Sequence, residues 1–137
     1  MNRTAATGVR VHRAAAGVLA GVPLLMGAAA APAEVVELQW QDAGRFERSL
    51  TIAPGKFAEI CGPLEAGQAV RWSFEADRAL NFSVHYHVEK DVRYPAKKDK
   101  VKRLQGDLSV DSRQDYCWMW TNKTTALTKL SVTLTRK

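Results

Sequence analysis

Beyond about residue 34, apolar and polar side chains alternate with a period of two, the pattern of strands that turn one face inward. Val36, Leu38 and Trp40 alternate with Glu37 and Gln39 until Asp42-Ala43-Gly44 breaks the run. Phe46, Leu50 and Ile52 share one parity as far as Pro54-Gly55, a turn signal, and Lys56 to Cys61 reads as a short strand closed by Gly62-Pro63. After Gly67, the residues Val70, Trp72 and Phe74 alternate with Arg71, Ser73 and Glu75. The alternation is cleanest from Leu80 to Val88, where Phe82, Val84, Tyr86 and Val88 face one way and Asn81, Ser83, His85 and His87 the other. A last segment sets Leu130, Val132 and Leu134 against Lys129, Ser131 and Thr133. No stretch keeps a helical period. The pattern predicts an all-β chain, best matched by a two-sheet antiparallel β-sandwich of seven or eight strands.

The segment Tyr-Cys-Trp-Met-Trp-Thr-Asn, Tyr116 to Asn122, carries the heaviest apolar face. Period two places Tyr116, Trp118, Trp120 and Asn122 together and Cys117, Met119 and Thr121 opposite them. Two indoles and a phenol on one strand face predict burial between packed β layers. The same three rings would also line an apolar ligand slot, but core is the commoner use of such residues.

The start of the chain is of another kind. Arg3, Arg10 and Arg13 precede an uncharged run from Ala14 to Ala31 that ends at Ala31-Pro32-Ala33. A basic start, an apolar middle and a small-x-small end are the three parts of a secretory signal peptide. Residues 1–33 are therefore expected to be removed after Ala33, leaving a single exported domain, 34–137, in a periplasm or outside the cell. A retained membrane helix fits less well, because the run barely reaches spanning length and contains Pro23. The formal charge of +6 includes the three leader arginines, so the remaining domain carries +3. Such a charge favours anionic surfaces without establishing nucleic-acid binding. In an oxidising compartment Cys61 and Cys117 are expected to pair, closing a long loop worth roughly 4 kcal/mol in the chain-entropy model. The rival is two free buried thiols; the spacing fits neither a zinc motif nor Cys-x-x-Cys.

Two groups of residues are candidates for function. Lys90, Arg93, Lys97, Lys98, Lys100, Lys102 and Arg103 crowd one interval, opposed only by Asp91 and Asp99. This reads as a solvated loop leading into a short edge strand, or as a docking surface for an acidic protein, a lipid headgroup or another anionic envelope partner. Nucleic acid is not expected, since aromatic residues are not interleaved through the cluster. His85 and His87, at i and i+2, lie on one strand face and could share a copper or zinc ion, with Glu89 or Met119 as a further ligand; two solvated histidines are the simpler account. Hydrolytic chemistry has no support: there is no Gly-x-Ser-x-Gly elbow, no paired carboxylates on a cleft-forming strand and no phosphate-cradling glycine loop.

The order of these features also resembles a known family. From about Cys61 to Lys137 the chain is similar to the GOLD (Golgi dynamics) domain, the β-sandwich of eukaryotic secretory cargo receptors and some lipid-transfer proteins. Gly67 precedes a strand carrying Trp72 and Phe74, Phe82-Ser-Val84-His-Tyr86 follows, then the charged interval. Tyr116, Trp118, Trp120 and Asn122 match the signature, and Leu130, Val132 and Leu134 the closing strand. Cys61 and Cys117 resemble the cargo-receptor pair, with Cys117 two positions early in the signature. No membrane helix or sorting tail follows Lys137, so the resemblance implies a β-sandwich binding module and not a trafficking role. The expectation is a non-catalytic, exported interaction module with no cofactor; the alternative is a periplasmic metal-binding protein using His85 and His87.

Overall fold

One strand organises the structure, a computed structural model that describes residues 32–137. The expected leader, 1–33, lies almost wholly outside the described residues. The strands are β1 (Glu34–Glu37), β2 (Arg45–Ile52), β3 (Phe57–Leu64), β4 (Ala69–Val88), β5 (Asp91–Ser109), β6 (Gln114–Thr121) and β7 (Thr128–Arg136). β4, 20 residues long, pairs with β5 on one edge along its whole length. Its other edge is divided: Val70–Ala76 pair with β7, and Asn81–His85 pair with β6. β7 continues to β2, and β6 continues to β3 and then β1.

The all-β expectation is met with seven strands among the described residues, but they form one hydrogen-bonded sheet rather than two separate ones. The break in β4 explains how one sheet supplies two inner faces. Four of its residues, Ala76 to Ala79, stand opposite a single residue of β5, because Glu75 pairs with Arg103 and Leu80 with Val101. Bulges of this kind bend a strand and sharpen its twist. Asp77 accepts a hydrogen bond from the Lys129 N–H at 2.9 Å, which ties the bend to the start of β7. The two arms then meet through aromatic rings. Phe82 lies 4.8 Å from both Trp72 and Phe74, and Trp120, from the second arm, is 5.6 Å from Phe74 and Phe82.

The inward parity of β6 is as the sequence predicts: Tyr116, Trp118, Trp120 and Asn122 are all buried. Asn122 is a fastener rather than filler. Its amide N–H groups donate to the carbonyls of Ile52 and Ala126, at 2.9 and 2.7 Å, and its Oδ1 accepts from Thr124. A buried side chain so placed satisfies backbone groups on two segments at once. Gly55, at φ 72, supplies the left-handed backbone that the turn before β3 requires.

Three local expectations are corrected. Gly62-Pro63 does not close the strand, since β3 runs on to Leu64, paired with Gln114. The Cys61 carbonyl accepts from Leu38 on the β1 side. The residue two further on faces the same way, so Pro63 turns its missing N–H toward the edge that β1 has already left. Not every pairing is antiparallel either: β1 joins β3 in parallel. The basic interval is no loop, because Lys90 ends a tight turn and Asp91 to Ser109 form one long edge strand through Pro95.

Gly106 of β5 faces Trp72 of β4, and a Cβ built there would overlap the indole ring. Gly106→Ala is expected to destabilise the domain by about 1–3 kcal/mol through overpacking. A urea midpoint lowered at unchanged slope is the readout, and an unchanged midpoint would show that the ring can move aside.

Candidate functional site

The outward face of the second arm gathers most of the chemistry-bearing side chains. Register builds it as a lattice. Cys61 on β3 pairs with Cys117 on β6, and Cys117 pairs with His85 on β4, so the three form one row. The next row is Glu59, Met119, Ser83 and Lys97, drawn from β3, β6, β4 and β5.

Cys61 and Cys117 form a disulfide, as expected. Their Cα atoms are 4.1 Å apart, the close spacing of directly opposed residues whose backbone groups point away from each other. Cys61 and Cys117 are direct partners in the β3–β6 register.

His85 departs from the expected solvated pair. It is 6% exposed, while His87 is exposed. The rings lie 5.5 Å apart, nearly perpendicular. A β5 bulge accounts for part of the cover: Val84 pairs with Ala96 and Tyr86 with Arg93, so Tyr94 and Pro95 share the place opposite His85. The Tyr94 ring lies 6.0 Å from the His85 ring, with the Lys97 ammonium 5.1 Å from the Tyr94 centroid. A groove of about 210 Å³ runs alongside, lined in part by Asn81, Ser83, Tyr94, Lys97, Met119 and Thr121.

Burial holds the His85 imidazole below the usual histidine range; Glu59 opposes that shift and His87 adds to it. Its Nε2 is 4.0 Å from Glu59 Oε2, too long for a hydrogen bond, and its Nδ1 has no partner among the described residues. The neighbouring Ser83 hydroxyl is also buried without one. Two unpartnered polar side chains side by side are uncommon in a folded interior and call for an explanation.

Glu89, one of the two further ligands considered, sits in the β4–β5 turn with φ 54. The donors that converge among the described residues are Glu59, His85 and Cys117, with ligand atoms all within 4.8 Å of one another. The sequence gives no hint of Glu59, which is two strands from His85 and joins it only through the β3–β6–β4 register.

The basic cluster lies along the β5 edge. Arg93 pairs with Asp91 at 3.4 Å and Arg103 with Glu75 at 3.5 Å, whereas Lys90, Lys97, Lys98, Lys100 and Lys102 have no such partner among the described residues. Lys100 takes a left-handed backbone, φ 56, where its N–H donates to Asn81 Oδ1. The spread of lysines along an unpaired edge fits protection against edge-to-edge pairing and leaves their charge open to a partner.

The fold is shared with periplasmic lysozyme inhibitors. The inhibitor of g-type lysozyme, PliG, from Aeromonas hydrophila superposes with a TM-score of 0.62 at 12% identity, covering 77% of this chain and 98% of that one. PliG from Salmonella Typhimurium gives 0.57 at 14% identity, covering 76% and 98%. The pre-peptidase C-terminal domain of a Bacillus anthracis collagenase gives 0.51 at 9% identity, covering 81% and 100%. No protein-family model matches the sequence, and no curated protein matches it. These neighbours overturn the GOLD resemblance. The signature that suggested it, aromatic residues of one parity ending in Asn, is what any inward-facing strand closed by a buried asparagine would display. Among the described residues, no helix is long and apolar enough to cross a membrane.

Proposed function

We propose that the chain is an exported, non-catalytic protein-binding module of the kind represented by the periplasmic lysozyme inhibitors. The observation that carries this reading is the fold, which extends over nearly the full length of those inhibitors. The leader-like start supports export, and the periplasmic neighbours agree with it. The contact surface is the β5 edge, where Lys97, Lys98, Lys100 and Lys102, with Lys90 in the turn before it, have no carboxylate partner among the described residues and favour an acidic face on the bound protein.

Purified 34–137 protein titrated against g-type lysozyme, by calorimetry and by peptidoglycan turnover, tests the reading. Saturable inhibition is expected, and neither binding nor inhibition at tens of micromolar would discard this partner. Changing Lys97, Lys98 and Lys100 together to Glu is expected to weaken partner binding by about tenfold or more at low salt, mainly through slower association. The melting temperature should hold, because all three side chains are exposed. Unchanged affinity would move the contact surface off β5.

A further inference from the structure

We propose that Glu59, His85 and Cys117 form a transition-metal site that opens only when the Cys61–Cys117 bridge is reduced. The site is separate from the β5 edge and does not depend on the protein-binding reading.

The geometry is largely in place. A tetrahedral zinc site, with bonds of about 2.0 Å to nitrogen and oxygen and 2.3 Å to sulfur, separates its ligand atoms by about 3.5 Å. The three donors here lie within 4.8 Å of one another, so side-chain adjustments of roughly an ångström complete the cluster. Each ligand comes from a different strand, and the paired register of β3, β6 and β4 holds the backbones fixed. His85 is the second observation. Its ring is buried beside Glu59 and Cys117, and Nε2 faces Glu59 Oε2 at 4.0 Å, too far for a hydrogen bond and open to a shared cation. A buried imidazole nitrogen that stands short of hydrogen-bond distance from a carboxylate, with a sulfur alongside, is the spacing a cation between the three would close.

The bridge is what keeps the site closed. A disulfide sulfur carries no charge and is a poor ligand, whereas a thiolate is a strong one for zinc. An external dithiol would open it by thiol–disulfide exchange. Two electrons and two protons pass to the bridge, the dithiol becomes a disulfide, and Cys61 and Cys117 become thiols. On binding the cation, Cys117 loses its proton to solvent and the sulfur–metal bond forms. Cys61, released directly across the row, is the next donor within reach. Soft and borderline cations, Zn(II) foremost, are the chemical class this donor set takes. His87, exposed and not part of the cluster, is not needed.

The test uses Zn(II) and Co(II) with the 34–137 protein, oxidised or reduced with a phosphine and desalted under anaerobic conditions. The reduced form should bind one Zn(II) per chain at least 100-fold more tightly than the oxidised form. Co(II) should give a sulfur-to-metal charge-transfer band in the reduced form only. His85→Ala and Glu59→Gln should each weaken zinc binding to the reduced form tenfold or more, and His87→Ala should leave it unchanged. Cys61→Ser, which frees Cys117 without any reductant, should show the cobalt band in air. Equal affinity in the two redox states, or full affinity in His85→Ala, overturns the proposal. So does loss of the folded far-ultraviolet spectrum in both the reduced protein and Cys61→Ser that zinc does not restore, because the site would then never open in a folded chain.

Discussion

Replacing Cys61 and Cys117 together by Ser is expected to lower the unfolding free energy by about 4 kcal/mol. The bridge spans 56 residues of sequence, so its loss restores to the unfolded chain the freedom of a loop containing β4 and β5. For a domain of this size, such a loss moves the melting temperature down by roughly 20 °C. Calorimetry of the oxidised, reduced and double-serine proteins checks it. The reduced and double-serine forms should melt together, well below the oxidised form. A shift of only a few degrees would mean that β3–β6 pairing already restrains the unfolded chain. The figure also sets the working range for the metal experiment, which belongs well below the melting temperature of the reduced protein.

Trp120→Ala comes next, with an expected cost of about 4 kcal/mol. Trp120 is 1% exposed, and its ring touches Phe74 and Phe82, residues on either side of the β4 bend. Truncation opens a cavity where the two arms meet, and the rigid strand backbones limit how far it can collapse. The indole N–H has no acceptor among the described residues, so packing rather than a lost hydrogen bond accounts for the effect. Leu127→Ala is the control: that side chain is 49% exposed, and its removal should stay within about 0.5 kcal/mol. Urea unfolding of both variants decides the matter. A cost below about 1 kcal/mol for Trp120→Ala would mean that the arms close over the gap.

The two effects lie on opposite faces of β6, and the sequence presents those faces unequally. Strict alternation from Tyr116 to Asn122 assigns Trp118 and Trp120 inward and Cys117 outward, because a strand leaves no other choice. The outward face has no comparable rule. Glu59 meets His85 only because β6 lies between β3 and β4, a neighbour relation that periodicity does not encode. Burial of His85 depends further on a β5 bulge that brings Tyr94 into the place opposite it.

β5 shows the same limit from another side. As an edge strand with little of either face buried, it has no apolar alternation to announce it, and Lys90 to Arg103 therefore reads as a loop. Pro95 strengthens that impression, although an edge strand tolerates proline where its other edge is free.

From its residues alone the chain determines that it is all-β, which aromatic rings are buried, and that its two cysteines fit one bridge in an oxidising compartment. Those properties follow from local periodicity and composition, which each segment carries by itself. Only the tertiary structure decides that one bent strand serves both arms, that the basic interval is an edge strand, and that Glu59, His85 and Cys117 meet. The reason is physical: strand order and bulge position arise from pairing between segments far apart in sequence, and no single segment contains them.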